Sequence, residues 1–220
     1  MYFPSLCIDN FYERPDEVRD IAESMVYKRK TQENFWPGKR TENIGEIDKS
    51  LHHETCTKIL SIFYPFQLEN FRAIQFRASS FFQKIEKFNS KINTGWIHRD
   101  APNVLSCVIY LSKKSMNGTS IYRPKKSFTK DIHKEINSSV LHGNKNISEK
   151  HINALKENND QFEQVVNFKG IYNRAVIFDA AQWHAANGFG NEEEERLTMI
   201  IFFHEIFVPY FPIPNCNTVI

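Results

Sequence analysis

Much of what would announce a compartment or a polymeric partner is missing from this chain. Its four cysteines, Cys7, Cys56, Cys107 and Cys216, are widely spaced and form no CxxC pair, so no disulfide framework is written into it and a reducing compartment suits it. Charge of one sign is also lacking. Lys and Arg number 28 against 26 Asp and Glu, a net charge of +2, and the basic clusters at 28–30, 113–114 and 125–126 are short enough to read as solvated faces. No nucleic-acid partner is announced. No apolar run approaches the roughly eighteen residues of a membrane span, and the opening MYFPSLCIDNFYERP has neither the charged start nor the apolar stretch of a secretory leader. The expected location is the cytoplasm, where the Asn117-Gly118-Thr119 sequon means only a turn. A length of 220 residues suits one domain with a single sizeable core.

Against these absences stand two histidine-bearing stretches, GWIHRDAPN and FDAAQWHAANGFGNEEEERLT. With eight histidines in the chain, one chance His-x-Asp arises roughly a quarter to a third of the time, so His98 and Asp100 need support from context. In a strand, residues i and i+2 share a side, whereas on a helix they diverge and cannot chelate one ion together. The looser pair His52/Glu54 lies in DKSLHHETCTKILSIFYPF, where Leu51, Ile59, Leu60 and Phe63 follow a helical period behind an Asp48 cap. His133/Glu135 lies in a polar, Lys-rich stretch with no strand signal. His98 and Asp100 instead precede a turn at Ala101-Pro102-Asn103 and the strongly β-like run NVLSCVIYLS. Downstream, RAVIFDA reads as a buried strand, AAQWHAANGFG as a turn presenting His184, and RLTMIIFFHEI as a second strand. Two imidazoles and a carboxylate on one face of a divalent metal, His98, Asp100 and His184, leave the opposite positions open, as in non-haem Fe(II) oxygenases.

Arg196 opens the last strand about a dozen residues after His184, with Thr198 two further on and on the same face. A guanidinium grips a carboxylate through two hydrogen bonds and a nearby hydroxyl completes the grip, which is what a dicarboxylate cosubstrate needs. The alternative partner for Arg196 is the acidic run Glu192–Glu195, which marks a solvated hairpin turn. Tyr110 shares the more polar face of its strand with Ser106, Val108 and Ser112, so its hydroxyl is a candidate for the distal carboxylate, or a core hydroxyl with one hydrogen bond. Cys107 alternates with Leu105, Ile109 and Leu111 and reads as core. His204 reads as structural. Asp179 and Asn187 border His184 as candidate orienting partners, and Trp36, Trp96 and Trp183 line either the mouth or the core.

Taken in order, His98-x-Asp100, the strand VIYLS, the Gly118-Thr119 strand start of Asn117–Tyr122, His184 and Arg196-x-Thr198 resemble the 2-oxoglutarate and Fe(II)-dependent dioxygenases, in particular their prolyl-hydroxylase-like branch. FYERPDEVRDIAESM and FWPGKR are similar to a poorly characterised bacterial and viral subgroup of that superfamily. The likeness spans roughly two thirds of the chain, and its motifs are specific jointly rather than singly.

The resemblance implies a mainly β fold, a double-stranded β-helix or cupin-like jelly roll with N-terminal supporting helices. Its layout would be helical support over 1–70, jelly-roll core over 71–122 and 165–208, an insertion or lid over 123–164 and an arm over 209–220. In the front segment Pro15 suits a first turn, and Val18, Ile21, Ala22 and Met25 form an apolar stripe between Asp16/Glu17 and Lys28-Arg29-Lys30. A short helix capped by Ser148 is expected over 147–155. The implied cofactors are Fe(II) and 2-oxoglutarate, with ascorbate as a supporting reductant. The implied reaction is hydroxylation of an unactivated C–H bond of a peptide or protein side chain, an amino acid or another small molecule by molecular oxygen, with release of succinate and carbon dioxide. A carboxylate at position 100, where halogenating members carry a small residue, points to hydroxylation. A catalytically inert cupin-like binding protein and a zinc-type hydrolase on the same fold are the alternatives.

Overall fold

The computed structural model describes residues 3–29, 37–64, 74–87, 93–129, 149–191 and 193–207. Two antiparallel sheets face one another. In chain order the elements are β1 (Leu6–Ile8), α1 (Pro15–Ser24), β2 (Lys39–Arg40), α2 (Ile44–Ile47), α3 (Lys49–Phe63), β3 (Gln75–Ile85), β4 (Leu105–Tyr110), β5 (Met116–Pro124), α4 (Glu149–Asp160), β6 (Phe162–Gly170), β7 (Ala175–Asp179), β8 (Trp183–Ala186) and β9 (Arg196–Phe207). The larger sheet has six strands in the order β1-β7-β4-β9-β3-β2, and the smaller has three in the order β6-β5-β8. This is a mainly β jelly roll braced by N-terminal helices.

The period-two pattern of the central strands separates core from site. On β4, Leu105, Cys107 and Ile109 turn outward and pack with Leu197, Met199, Ile201 and Phe203 of β9, Ala175 and Ile177 of β7, and Val18, Ala22, Cys56, Ile59, Leu60 and Phe63 of the helices. The opposite face of the same strands turns toward the smaller sheet, where Tyr110, Ile121, Val176 and Phe178 form a second cluster. Burial pushes the Cys107 thiol well above its ordinary range and the Cys56 thiol up to about 12, as expected of core thiols.

Both long front helices follow from local chemistry. Pro15 opens α1, Asp16 and Glu17 occupy its first turn, and Val18 and Ala22 are its buried residues. The Asp48 side chain caps α3 by accepting from the Leu51 amide at 3.0 Å. The basic residues expected to close α1 do not, because the helix stops at Ser24 with Met25 extended; Lys28 instead bridges Arg40.

The ends of the expected 123–164 insertion belong to the smaller sheet, where Arg123 pairs with Glu163 and Pro124 with Phe162. Within it, α4 starts close to the expected cap and runs to Asp160, beyond the anticipated 155. Asn117-Gly118-Thr119 is not a turn but part of β5, at a register shift against β6. A Cβ on Gly118 would lie 1.7 Å from the Phe168 carbonyl oxygen, so the close approach of the two backbones requires glycine there. His133 and Glu135, Trp36, Cys216 and the expected 209–220 arm lie outside the described residues.

Candidate metal and cosubstrate site

The two histidines are brought together by main chain. His98 and His184 form an antiparallel bridge in which each amide donates to the other's carbonyl, at 3.0 and 2.9 Å. His184 therefore sits on β8 and not on a turn, and the smaller sheet carries it because Thr119–Tyr122 pair with Trp183–Ala186. Asp100 follows the bridge, its amide bound to the Ala180 carbonyl at 3.0 Å.

Side-chain contacts then aim the donors. His98 Nδ1 meets the Trp96 carbonyl at 2.8 Å and His184 Nδ1 meets the Gln182 carbonyl at 3.0 Å. A carbonyl only accepts, so each Nδ1 carries the proton and each Nε2 keeps its lone pair for a metal. Those two Nε2 atoms lie 3.4 and 3.3 Å from the Asp100 carboxylate, and the ligand atoms of all three residues fall within 4.8 Å of one another. Ser106 Oγ donates to Asp100 Oδ2 at 2.7 Å and fixes its rotamer. Burial alone would raise the Asp100 carboxyl, but the imidazoles of His184 and His98, when protonated, hold it well below the ordinary carboxylate range, and a metal cation takes the place of those protons. An anionic oxygen and two neutral nitrogens that converge on one point, with their other atoms already engaged, fit a hard-to-borderline divalent ion such as iron(II).

The triad opens onto a cavity of about 450 Å³, walled in part by Val108, Phe178, Ile200 and Phe202. Arg196 lines it and is 4% exposed. Its guanidinium lies 5.3 Å from the Tyr110 ring centroid, its Nε has no hydrogen-bond partner, and it forms no ion pair among the described residues. The described residues of the acidic run are engaged elsewhere: Glu193 pairs with Lys114, Glu194 faces Arg19 and the Lys113 and Lys114 amides, and Glu195 pairs with Lys39. Thr198 is fully buried with its hydroxyl unpartnered. A buried cation and a buried hydroxyl left this way are costly unless an anion reaches them. Tyr110 does not line the cavity; its hydroxyl is 2.7 Å from Thr119 Oγ1, and its ring supports Arg196.

The remaining expected residues fall elsewhere. His204 binds Asn103 Oδ1 and Ser79 Oγ at 2.7 and 3.0 Å. It sits at the β3–β9 register shift, since Arg77 opposes Glu205 and Ala78 opposes Phe203, and these bonds are those of a structural residue. His52 binds Ser80 Oγ at 2.8 Å, while Glu54 accepts from Ser50. Asp179 and Asn187 do not orient His184: the Gln182 carbonyl does, while the Asp179 carboxylate takes the Phe3 and Ala181 amides and Asn187 binds Ser120, Asn167 and Tyr122. Trp96 packs against Ile152 and Leu155 of α4, and Trp183 against Phe128 and Phe162. Sequence reasoning missed Asn158 and Asn159, which clasp the backbone just before His98. Asn159 accepts from the Ile97 amide and donates to the Gly95 carbonyl, each at 3.0 Å, and Asn158 donates to the Ile97 carbonyl at 3.2 Å. A pair of asparagines at the end of a polar helix carries no signal that would have found them.

A family model described as a family of unknown function (DUF6445) matches residues 3–203. No curated protein matches the sequence. Among solved structures, HygX from Streptomyces hygroscopicus with nickel and 2-oxoglutarate bound is 8% identical with a TM-score of 0.51, over 94% of this chain and 84% of that one. The epimerase SnoN in complex with Fe3+, alpha ketoglutarate and nogalamycin RO is 10% identical with a TM-score of 0.51, over 93% of this chain and 81% of SnoN. A Pseudomonas putida prolyl-4-hydroxylase is 12% identical with a TM-score of 0.46, over 90% and 91% of the two chains. At such identities the likeness is one of fold, the jelly roll of the 2-oxoglutarate and Fe(II) oxygenases.

Proposed function

This chain belongs to DUF6445, a family of unknown function, and we propose that it is an iron(II)- and 2-oxoglutarate-dependent dioxygenase that hydroxylates an unactivated C–H bond. The observation that carries the reading is the shared cavity: three converging donors, His98, Asp100 and His184, and a buried arginine, Arg196, whose charge no described residue answers. HygX and SnoN, which have the same fold, hold a metal with 2-oxoglutarate or alpha ketoglutarate.

Iron with 2-oxoglutarate supplies the chemistry, in which dioxygen gives one atom to succinate, formed with carbon dioxide, and the other to the C–H bond. The chain's own residues bind, orient and exclude water. His98, Asp100 and His184 would hold the ion. Arg196 pairs with the distal carboxylate of 2-oxoglutarate, backed by Tyr110 and completed by the Thr198 hydroxyl. Phe178, Ile200 and Phe202 keep that pairing in a poorly hydrated wall, where it is stronger than in water. The substrate is an amino acid, a peptide side chain or another small molecule, and ascorbate would serve only to restore iron(II). A zinc hydrolase has no use for a dicarboxylate seat, and an inert binding protein would be expected to have lost one of the three donors, all of which are present.

The test is anaerobic addition of Fe(II) and 2-oxoglutarate, read as the weak visible charge-transfer band of the chelate, then admission of oxygen and assay of succinate. Both signals are expected in the native protein and neither in His98→Ala. Folded native protein that shows neither would overturn the reading.

A further inference from the structure

The three donors have two separate supports. His98 is held from the α4 side by Asn158 and Asn159, whereas Asp100 and His184 both lean on one turn, residues 179–182, which follows β7. The Ala180 carbonyl takes the Asp100 amide at 3.0 Å, and the Gln182 carbonyl takes His184 Nδ1, also at 3.0 Å. Whatever fixes this turn therefore fixes how a carboxylate and an imidazole that share one ion stand to each other.

The turn is closed from within only in part. The Gln182 amide donates to the Asp179 carbonyl and the Ala181 amide to Asp179 Oδ1, each at 2.9 Å, while the Ala180 amide reaches the Val104 carbonyl at 3.2 Å. A further clasp comes from the other end of the sequence. Strand β1 runs antiparallel to β7 with Leu6 opposite Ile177, so residues 3–5 continue past the end of β7 and over the turn. There the Phe3 amide donates to Asp179 Oδ2 at 3.2 Å, and Ser5 Oγ donates to Gln182 Oε1 at 2.7 Å. The Phe3 ring is buried and meets Phe63 of α3 edge-on, with centroids 5.1 Å apart, which anchors the segment on the core. Gln182, itself buried, is thus held by its amide from inside the turn and by its side chain from outside. The carbonyl between those two points is the one that aims His184.

We propose that residues 3–5 form a strap that tunes the metal centre, with Ser5 as its positioning residue acting on the His184 imidazole through Gln182. The inference rests on the metal-binding part of the reading above and is independent of which cosubstrate and substrate follow. Ser5 touches no reacting atom. Its hydroxyl keeps the turn in the orientation in which Asp100 and His184 converge; once that bond is lost, the turn gains freedom and the grip on the ion weakens.

The test titrates the full chain anaerobically with Co(II), whose visible d–d absorption reports the geometry of its donors, and with Fe(II) against a chelator for affinity. Ser5→Thr and Ser5→Val give side chains of nearly the same shape that differ in the hydroxyl. Partners of a metal-bound imidazole are worth about ten- to a hundredfold in metal affinity, and Ser5, one bond further out, should be worth roughly fivefold. Ser5→Val should lose that much affinity and shift the cobalt spectrum, while Ser5→Thr keeps both near native. Ser5→Ala, with the same expected loss, serves if the valine variant does not fold. Native affinity and spectrum without the hydroxyl would overturn the assignment at any thermal midpoint, since a merely structural residue moves the midpoint alone. An equal loss with and without the hydroxyl overturns it too, because the effect then comes from bulk. Native protein that takes up neither ion would instead remove the metal reading, and this one with it.

Discussion

Two side chains on β9 define the sharpest residue-scale expectations. Arg196→Gln keeps a hydrogen-bond donor but shortens the side chain and removes the charge, and should weaken 2-oxoglutarate by about 2 kcal/mol, roughly thirtyfold in Kd, with iron still bound. Titration of the visible band checks it; unchanged affinity would place the dicarboxylate elsewhere. Thr198→Val deletes a buried hydroxyl that has no partner. Without cosubstrate the variant should match or exceed native stability in chemical denaturation, yet bind 2-oxoglutarate with about 1 kcal/mol less, roughly fivefold. Loss of stability in the cosubstrate-free protein would mean that the hydroxyl is structural. That Arg196 and Thr198 share a face of β9 was legible in the sequence because alternation along a strand is arithmetic, whereas His98, Asp100 and His184 were singled out by their order along the chain. Arg40, which also lines the cavity, was not singled out, since a two-residue strand carries no period and its place depends on the turn at Gly38.

At the scale of elements, α4 shows how a polar segment without strand pattern still governs the site. Its last turn grips residues 95–97 through Asn158 and Asn159. Asn159→Ala leaves the Ile97 amide and the Gly95 carbonyl without these partners, and should cost about 1–3 kcal/mol. Iron affinity should fall by roughly tenfold as the His98 segment loosens, with faster amide exchange confined to residues 95–98. Uniformly faster exchange across the jelly roll would show a global and not a positioning effect. The helices α1 and α3 and the strands β4, β7 and β9 were readable because periodicity reports burial directly. The pairing of β5 with both β6 and β8 was not, because it depends on backbone partners distant in sequence and on the close approach at Gly118.

For the whole molecule, the site lies between two sheets, with His184 on the smaller and Arg196 on the larger, so ligand binding should stabilise the fold. Saturation at about a hundredfold over Kd with iron(II) and 2-oxoglutarate contributes about 2.7 kcal/mol, or roughly 5–10 °C in thermal midpoint for a domain of this size. Scanning calorimetry under anaerobic conditions checks this, and a chelator should reverse it; identical midpoints with and without ligands would argue against a shared site. The jelly roll itself was expected from resemblance and strand patterning together, whereas the meeting of residues 98 and 184 is invisible to any local pattern. That meeting has a practical side. Because reciprocal amide–carbonyl bonds set how far apart the two imidazoles stand, the contour of polypeptide joining them is irrelevant to the grip. Residues added at the exposed Lys113–Ser115 connection between β4 and β5, which lies between the two histidines in the chain, should therefore pass without notice at the metal.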